Sequence, residues 1–182
     1  GYTGVNATVQ ATLDTNNNNY YIYRIFLPFD TSSLPDDATI SAATLSIYVT
    51  ARDDTETGGD ILLIQTSQAS TSSLITDDYD QVAAINDGIL TISSAVVGAY
   101  NDITLGATAR GWISLTGFTY LGLRHRRDND NSTPSGSAGS NKNLITLSTS
   151  EETGTSQDPK LTITYTSPTT TSTTTSTSTT ST

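Results

Sequence analysis

The chain has 182 residues and a formal net charge of −10, which opposes a nucleic acid, an anionic membrane or another polyanion as its main partner. No apolar run approaches the length of a membrane span, so no membrane insertion is expected. Cysteine is absent and His125 is the only histidine, which excludes Cys–His nucleophiles and Cys- or multi-His zinc sites within one chain.

The first predicted strand lies in "YYIYRIFLPFD". Alternate side chains share one face: Tyr21, Tyr23, Ile25, Leu27 and Phe29. Arg24 and Pro28 lie on the other face, and this period of two predicts a half-buried strand. Because proline cannot donate a ladder hydrogen bond, Pro28 indicates that the strand ends at a sheet edge.

Period-two alternation continues along the chain and predicts strands in "TLSIYVT", "DILLIQT", "DGILTIS", "NDITL", "FTYLGLRHR", "NLITLST" and "KLTITYT". Only "GATARGWISL", residues 106–115, accommodates a helical turn, and its glycines keep that turn short. About eight antiparallel strands predict an all-β sandwich over residues 1–166. The residues expected in its core are Ile25, Leu27, Phe29, Leu45, Ile47, Val49, Leu161 and Ile163.

Three stretches in the same order carry a family resemblance: "YRIFLPFDTSSLPDDATISAATLSIYV", "ATARGWISLTGFTYLGLR" and "STSEETGTSQDPKLTITYT". They resemble the DNRLRE-type domains, which are related to carbohydrate-binding module family 96. The resemblance implies a jelly-roll sandwich of the kind found in secreted polysaccharide-active enzymes, in adhesins and surface proteins, and in viral fibres. The family's name motif is replaced here by "NATVQATLDTNNNNYY", so its polysaccharide-contacting residues are not transferred.

Three aromatic side chains are candidates for stacking on a neutral glycan: Tyr20, Tyr100 and Trp112. For Trp112, packing at one end of the sandwich is the preferred interpretation, because a lone tryptophan is usually buried.

The segment "RHRRDNDNST" supports two interpretations. Asp128, Asp130 and Ser132 stand at alternate positions, as at the start of a loop that binds a structural calcium ion. The preferred alternative is a polar hairpin loop in which arginines pair with aspartates. Apart from this candidate calcium, no cofactor is expected.

The same segment holds the main basic cluster of the chain: Arg124, Arg126 and Arg127. In so acidic a protein, these arginines are candidates for contact with the acidic surface of a neighbouring subunit. His125, which lies among them, is expected on the surface of its strand.

No catalytic constellation is recognised, and the chain is predicted not to be an enzyme. A Gly-x-Ser-x-Gly elbow and a phosphate-binding glycine loop are both missing from the sequence. Acidic residues that could form a glycosidase pair are plentiful in the loops, but such clusters are usually solvated: Asp77, Asp78, Asp80, Glu151 and Glu152. Two N-glycosylation sequons begin at Asn6 and Asn131.

The tail, residues 167–182, contains only threonine and serine after Pro168. It has no apolar face, and ordering its backbone costs on the order of 15–25 kcal/mol. We expect residues 169–182 to be extended, to contact another subunit or carry O-glycans, and to make few contacts with the core of their own domain. The candidate O-glycan acceptors are Thr169, Thr170, Thr171, Ser172, Thr173, Thr174, Thr175, Ser176, Thr177 and Ser178.

Two functions follow as hypotheses. The first is a non-catalytic structural subunit of an extracellular filament, surface fibre or virion assembly, which associates with copies of itself and carries glycans or inter-subunit contacts on its tail. The second is a carbohydrate-binding module for a neutral glycan within a larger secreted protein. Both place the protein outside the cell, at a cell surface or on a virion, as the low charge and the abundant Thr, Ser, Asn and Gly indicate.

Overall fold

The computed structural model describes residues 5–54, 59–134, 136–137, 143–150, 153–167 and 170–177. In these ranges the strands are β1 (Asn6–Asp14), β2 (Asn19–Tyr23), β3 (Ile25–Asp30), β4 (Thr39–Asp53), β5 (Asp60–Thr66), β6 (Val82–Thr91), β7 (Ala99–Thr104), β8 (Phe118–His125), β9 (Gly136–Ser137), β10 (Leu144–Ser148), β11 (Lys160–Ser167) and β12 (Thr170–Thr177). The helices are α1 (Ala107–Arg110) and α2 (Arg126–Asn129), and 3-10 turns cover Thr76–Asp80 and Ile92–Ser94. The chain is therefore all-β.

The strands form two sheets. The large sheet has the order β12-β11-β4-β10-β1-β2, with β7 paired to β4 and β9 to β1, and the small sheet has the order β3-β8-β5-β6. Thr44 pairs with both β7 and β11, and Val49 pairs with both β7 and β10. Since a strand has two edges, β10 and β11 follow one another along the same edge of β4, opposite β7.

The core lies between the sheets. All eight residues predicted to be buried there are buried, and the alternating burial of β4 and β11 confirms the period of two in those strands. The half-buried strand predicted around Pro28 was wrong for β3, because Phe26 and Pro28 on its other face are buried as well. The small sheet contributes further aliphatic residues to the same core: Ile61, Leu63, Leu121 and Leu123. Burying each such side chain contributes about 1.5–3 kcal/mol.

The stretch predicted as one strand from Tyr21 to Phe29 is two strands in different sheets. β2 ends at Tyr23 in the large sheet and β3 begins at Ile25 in the small sheet. Arg24 is the single residue between them, and alternation alone does not reveal a change of sheet. The edge position indicated by Pro28 is confirmed, because β3 is the terminal strand of the small sheet.

The tail differs from expectation. Residues 170–177 are extended, but they form β12, which pairs with β11 of the same chain from Lys160–Thr177 to Ser167–Thr170. The prediction of few contacts with the core of its own domain concerned side chains and stays a prediction, but it neglected the ladder of main-chain hydrogen bonds with β11. Those bonds offset ordering entropy without any apolar face. The predicted acceptors Thr169 and Ser178 lie outside the described residues.

Candidate binding site at the Tyr20 cavity

A buried ion triad holds together the region where the chain changes sheet. Asp128 of α2 accepts from Nε and Nη2 of Arg24 at 2.7 and 2.8 Å, and from Nε of Arg124 on β8 at 2.7 Å. The side chains of Arg24 and Asp128 are only 8% and 9% exposed. Burial alone would raise the pKa of Asp128, but its hydrogen bonds with the two arginines outweigh burial and hold that pKa below its ordinary value.

This triad is the arginine–aspartate pairing that the preferred interpretation of the "RHRRDNDNST" segment predicted. Both carboxylate oxygens of Asp128 accept hydrogen bonds from guanidinium groups, whose positive charge opposes a calcium ion at the same oxygens. Asp130 is exposed and bonds Asn129, while the Ser132 hydroxyl bonds the carbonyl of Arg127. Within the described ranges, no three His, Cys, Asp or Glu side chains are grouped to hold a metal ion. The arginine–aspartate pairing is the arrangement that the structure contains.

The other arginines of the predicted inter-subunit patch also have partners within the chain. Nε of Arg126 lies 2.7 Å from Oδ2 of Asp60, and Nη1 of Arg127 donates to the carbonyl of Thr133 at 3.1 Å. With Arg124 largely buried against Asp128, the cluster stabilises the end of its own domain.

His125 is buried, and the prediction of a surface histidine was wrong. It points inward with Leu121 and Leu123, as the period of two along β8 would have indicated. Its Nδ1 accepts from the backbone N–H of Arg127 at 3.1 Å, so the ring caps the start of α2. Burial, helped by the nearby charge of Arg127, lowers the pKa of His125 to about 4.

A cavity of about 300 Å³ lies beside the triad. Its lining comes from Tyr20 and Ile22 on β2, from Arg127 and Asp128 on α2, and from the following turn, residues 131–134. Tyr20 is 57% exposed, and Asn131 adopts a left-handed φ of 47° at an exposed turn. We call this the Tyr20 cavity.

The Tyr20 cavity brings together residues that the sequence assigned to separate roles: a stacking aromatic, a basic side chain, an N-glycan acceptor and polar loop groups. These residues come together because α2 and the following turn fold against β2. No spacing in the sequence predicts that proximity. The sequon at Asn131 is exposed here. By contrast, Asn6 is half-buried on β1 and its Oδ1 accepts from the Thr50 hydroxyl at 3.1 Å.

The other two candidate aromatics do not join this cavity. The Tyr100 hydroxyl donates to the carbonyls of Ser156 and Asp158, and Nζ of Lys160 lies 4.2 Å from the centre of its ring. Trp112 is partly buried and packs against the core, as the preferred interpretation predicted.

Sequence reasoning missed a second, more apolar cavity of about 350 Å³ on the outside of the small sheet. It lies between Phe26 on β3 and Leu74, Ile75 and Tyr79 of the segment 67–81. The guanidinium carbon of Arg24 lies 4.0 Å from the centre of the Tyr79 ring, and its Nη1 donates to the Tyr79 carbonyl at 2.6 Å. Arg24 therefore lines this second cavity and also holds Asp128, which lines the Tyr20 cavity.

No protein-family model, curated protein or solved structure matches this chain. None of the helices in the described ranges is long and apolar enough to cross a membrane.

Proposed function

We propose that this chain is a non-catalytic structural subunit of an extracellular filament, surface fibre or virion assembly, built on a jelly-roll sandwich and joined to copies of itself through the tail. The observation that supports this is the character of β12. It is a terminal strand of the large sheet, and its register with β11 runs through eight residue pairs without a shift.

Edge strands invite pairing with other chains, and proteins commonly block them with charge, proline, bulges or short length. The other longer edge strands here carry such devices: β3 contains Pro28, β2 has only five residues, β6 pairs with β5 through two register shifts, and β7, which pairs only with β4 among the described strands, carries the exposed charge of Asp102. β12 has eight residues, with neither charge nor proline among them, and threonine is a good strand former. Of the terminal strands, β12 is the one suited to join a second chain.

The hydroxyl groups of the tail fit the same role. Thr and Ser are the acceptors for O-linked glycans, which would coat the surface of a fibre in polar groups. The tail would then supply both main-chain pairing and a solvated exterior.

The proposal is tested by comparing the intact chain with a chain ending at Ser167, by light scattering and electron microscopy across a concentration series. We expect ordered assemblies from the intact chain and monomers from the shortened one. Thr173→Lys with Thr175→Lys should also prevent assembly, because lysines on an edge strand oppose pairing. A control with the same added charge in exposed loops, Ser33→Lys with Ser72→Lys, should assemble normally. Equal assembly of the shortened chain would refute the proposal.

A second candidate function, binding of a neutral glycan, is favoured by the Tyr20 cavity. An exposed aromatic ring beside amide and hydroxyl side chains is the usual composition of a surface that stacks on a sugar ring and bonds its hydroxyl groups. We expect Tyr20→Ala to abolish binding to a panel of neutral oligosaccharides measured by calorimetry. Tyr23→Ala is the matched control, because Tyr23 is 46% exposed on the same strand and does not line the cavity. Equal binding by both variants would exclude this site.

A further inference from the structure

We propose that β12 is exchanged between subunits, so that the tail of one copy pairs with β11 of the next copy in the place that it takes within a single chain. This inference rests on the proposed structural role and specifies its contact. It differs from simple edge pairing, in which a neighbour would add to the outer side of β12.

The first support is the length of the connection. Ser167 pairs with Thr170 at the end of the ladder, so only Pro168 and Thr169 join β11 to β12. A connection of only two residues between paired antiparallel strands calls for a tight hairpin turn. The turns that suit the twist of such hairpins are types I′ and II′, and both require a positive φ at the first of the two residues.

Proline cannot satisfy that requirement. Pro168 and Thr169 lie outside the described residues, but the proline ring itself limits φ to about −65°. The residue before a proline also prefers an extended conformation, which suits Ser167 as part of a strand that continues outward. The sequence of the connection thus favours an extended link between two molecules over a tight turn within one.

The second support is that the pairing of β12 is transferable. β12 consists only of Thr and Ser, and the same ladder of main-chain hydrogen bonds forms whether β11 belongs to its own chain or to another copy. Exchange keeps that ladder and removes the need for a tight turn at Pro168. Its cost is the loss of freedom on association, so exchange should increase with protein concentration.

Exchange also defines the kind of assembly. Each copy donates one tail and receives one at a different surface, so the contact is head-to-tail and produces an open filament or a ring, unless two copies exchange reciprocally. This connectivity is what a fibre subunit requires.

The test uses the absence of cysteine from the chain. Subunits with Thr164→Cys are mixed with subunits carrying Thr173→Cys under oxidising conditions, because Thr164 and Thr173 are directly opposite in register. Opposite residues in an antiparallel pair have Cα atoms about 4.5–5.5 Å apart, within the range for a disulfide. We expect disulfide-linked dimers. The matched control pairs Thr162→Cys with Thr173→Cys, which are offset by two residues and should yield few dimers.

A turn variant provides the second arm. Pro168→Asn with Thr169→Gly installs the Asn-Gly sequence that favours a type I′ hairpin, and it should reduce dimer formation in the Thr164/Thr173 mixture roughly tenfold. Dimers that are equally abundant in the offset control, or unchanged by the turn variant, would overturn exchange.

The outcomes separate the two proposals. If the intact chain assembles but the mixture gives no dimers, while a chain with both Thr164→Cys and Thr173→Cys forms an internal disulfide, exchange is wrong and edge pairing of β12 remains. If the intact chain does not assemble at any concentration, both proposals fail.

Discussion

Two regions of this molecule are held in place by different chemistry. At the point where the chain changes sheet, Asp128 binds Arg24 and Arg124 with three bonds of 2.7–2.8 Å, nearly out of contact with water. At the end of the large sheet, β12 is held by main-chain pairing along β11, in a sequence of Thr and Ser alone. Buried ion pairs depend on particular side chains, whereas ladder bonds accept any strand.

The difference separates contacts that only the chain's own residues can make from contacts that a second copy can also make. A second copy cannot replace Asp128 in the triad without unfolding the end of the domain, but it can replace β12 without loss of a single ladder bond. We therefore expect perturbation of the triad to affect folding, and perturbation of the tail to affect association.

The largest effect is expected from Asp128→Ala. Removing the shared carboxylate leaves two buried guanidinium groups without their counter-charge, and breaking a buried pair in this way costs about 3–5 kcal/mol. Urea unfolding of the variant followed by circular dichroism measures the change.

Asp130→Ala is the matched control for this prediction. Asp130 is an exposed acidic residue only two positions away, so its loss should change the free energy of unfolding by less than about 0.5 kcal/mol. Similar stabilities for the two variants would show that the triad does not hold this region.

A somewhat smaller loss of unfolding free energy is expected when the pH is lowered. His125 has a folded-state pKa of about 4, below the ordinary 6.5, so the unfolded chain takes up its proton first as the pH falls. Its contribution to stability is complete above pH 6.5, declines between pH 6.5 and 4, and reaches a loss of at most about 3 kcal/mol. The charges that act on the ring are Arg126 and Arg127, which lower its pKa, and Asp60 and Asp128, which raise it.

His125→Asn isolates this contribution, because asparagine does not titrate and its oxygen can accept the Arg127 N–H. Between pH 6.5 and 4, the variant should show a much flatter dependence of unfolding free energy on pH than the parent chain. An unchanged slope would assign the effect to carboxylates instead. Asp128 is not one of them, because its lowered pKa moves its own loss of stability below this window.

Most of the fold was predictable because side-chain alternation directly reports which face of a strand is buried. Leu45, Ile47 and Val49 on β4 are a clear case, because the residues between them are only partly buried. Alternation does not reveal the change of sheet at Arg24. The pattern of apolar residues continues through this position, although β2 and β3 belong to different sheets. His125 was predictable from its register with Leu121 and Leu123, but its basic neighbours suggested an exposed position.

The Tyr20 cavity could not be predicted from the sequence as a unit. Tyr20 and Asn131 are far apart in the chain, and their proximity depends on the long-range bonds of Arg24 with Asp128. The pairing of β12 was missed for another reason: main-chain hydrogen bonds leave no pattern in side-chain chemistry. A run of Thr and Ser residues does not indicate which strand it will pair with.

The smallest effect on folding is expected from removal of residues 168–182. β11 keeps its pairing with β4 from Thr39 to Ser46, and its freed edge bonds to water, so the isolated domain should lose about 1 kcal/mol or less. Urea unfolding at low protein concentration, where the intact chain is monomeric, measures this difference. A loss as large as that of Asp128→Ala would mean that β12 is an integral part of the sandwich. A small loss of stability, with assembly abolished, would place the tail among the elements that a subunit can share with its neighbours.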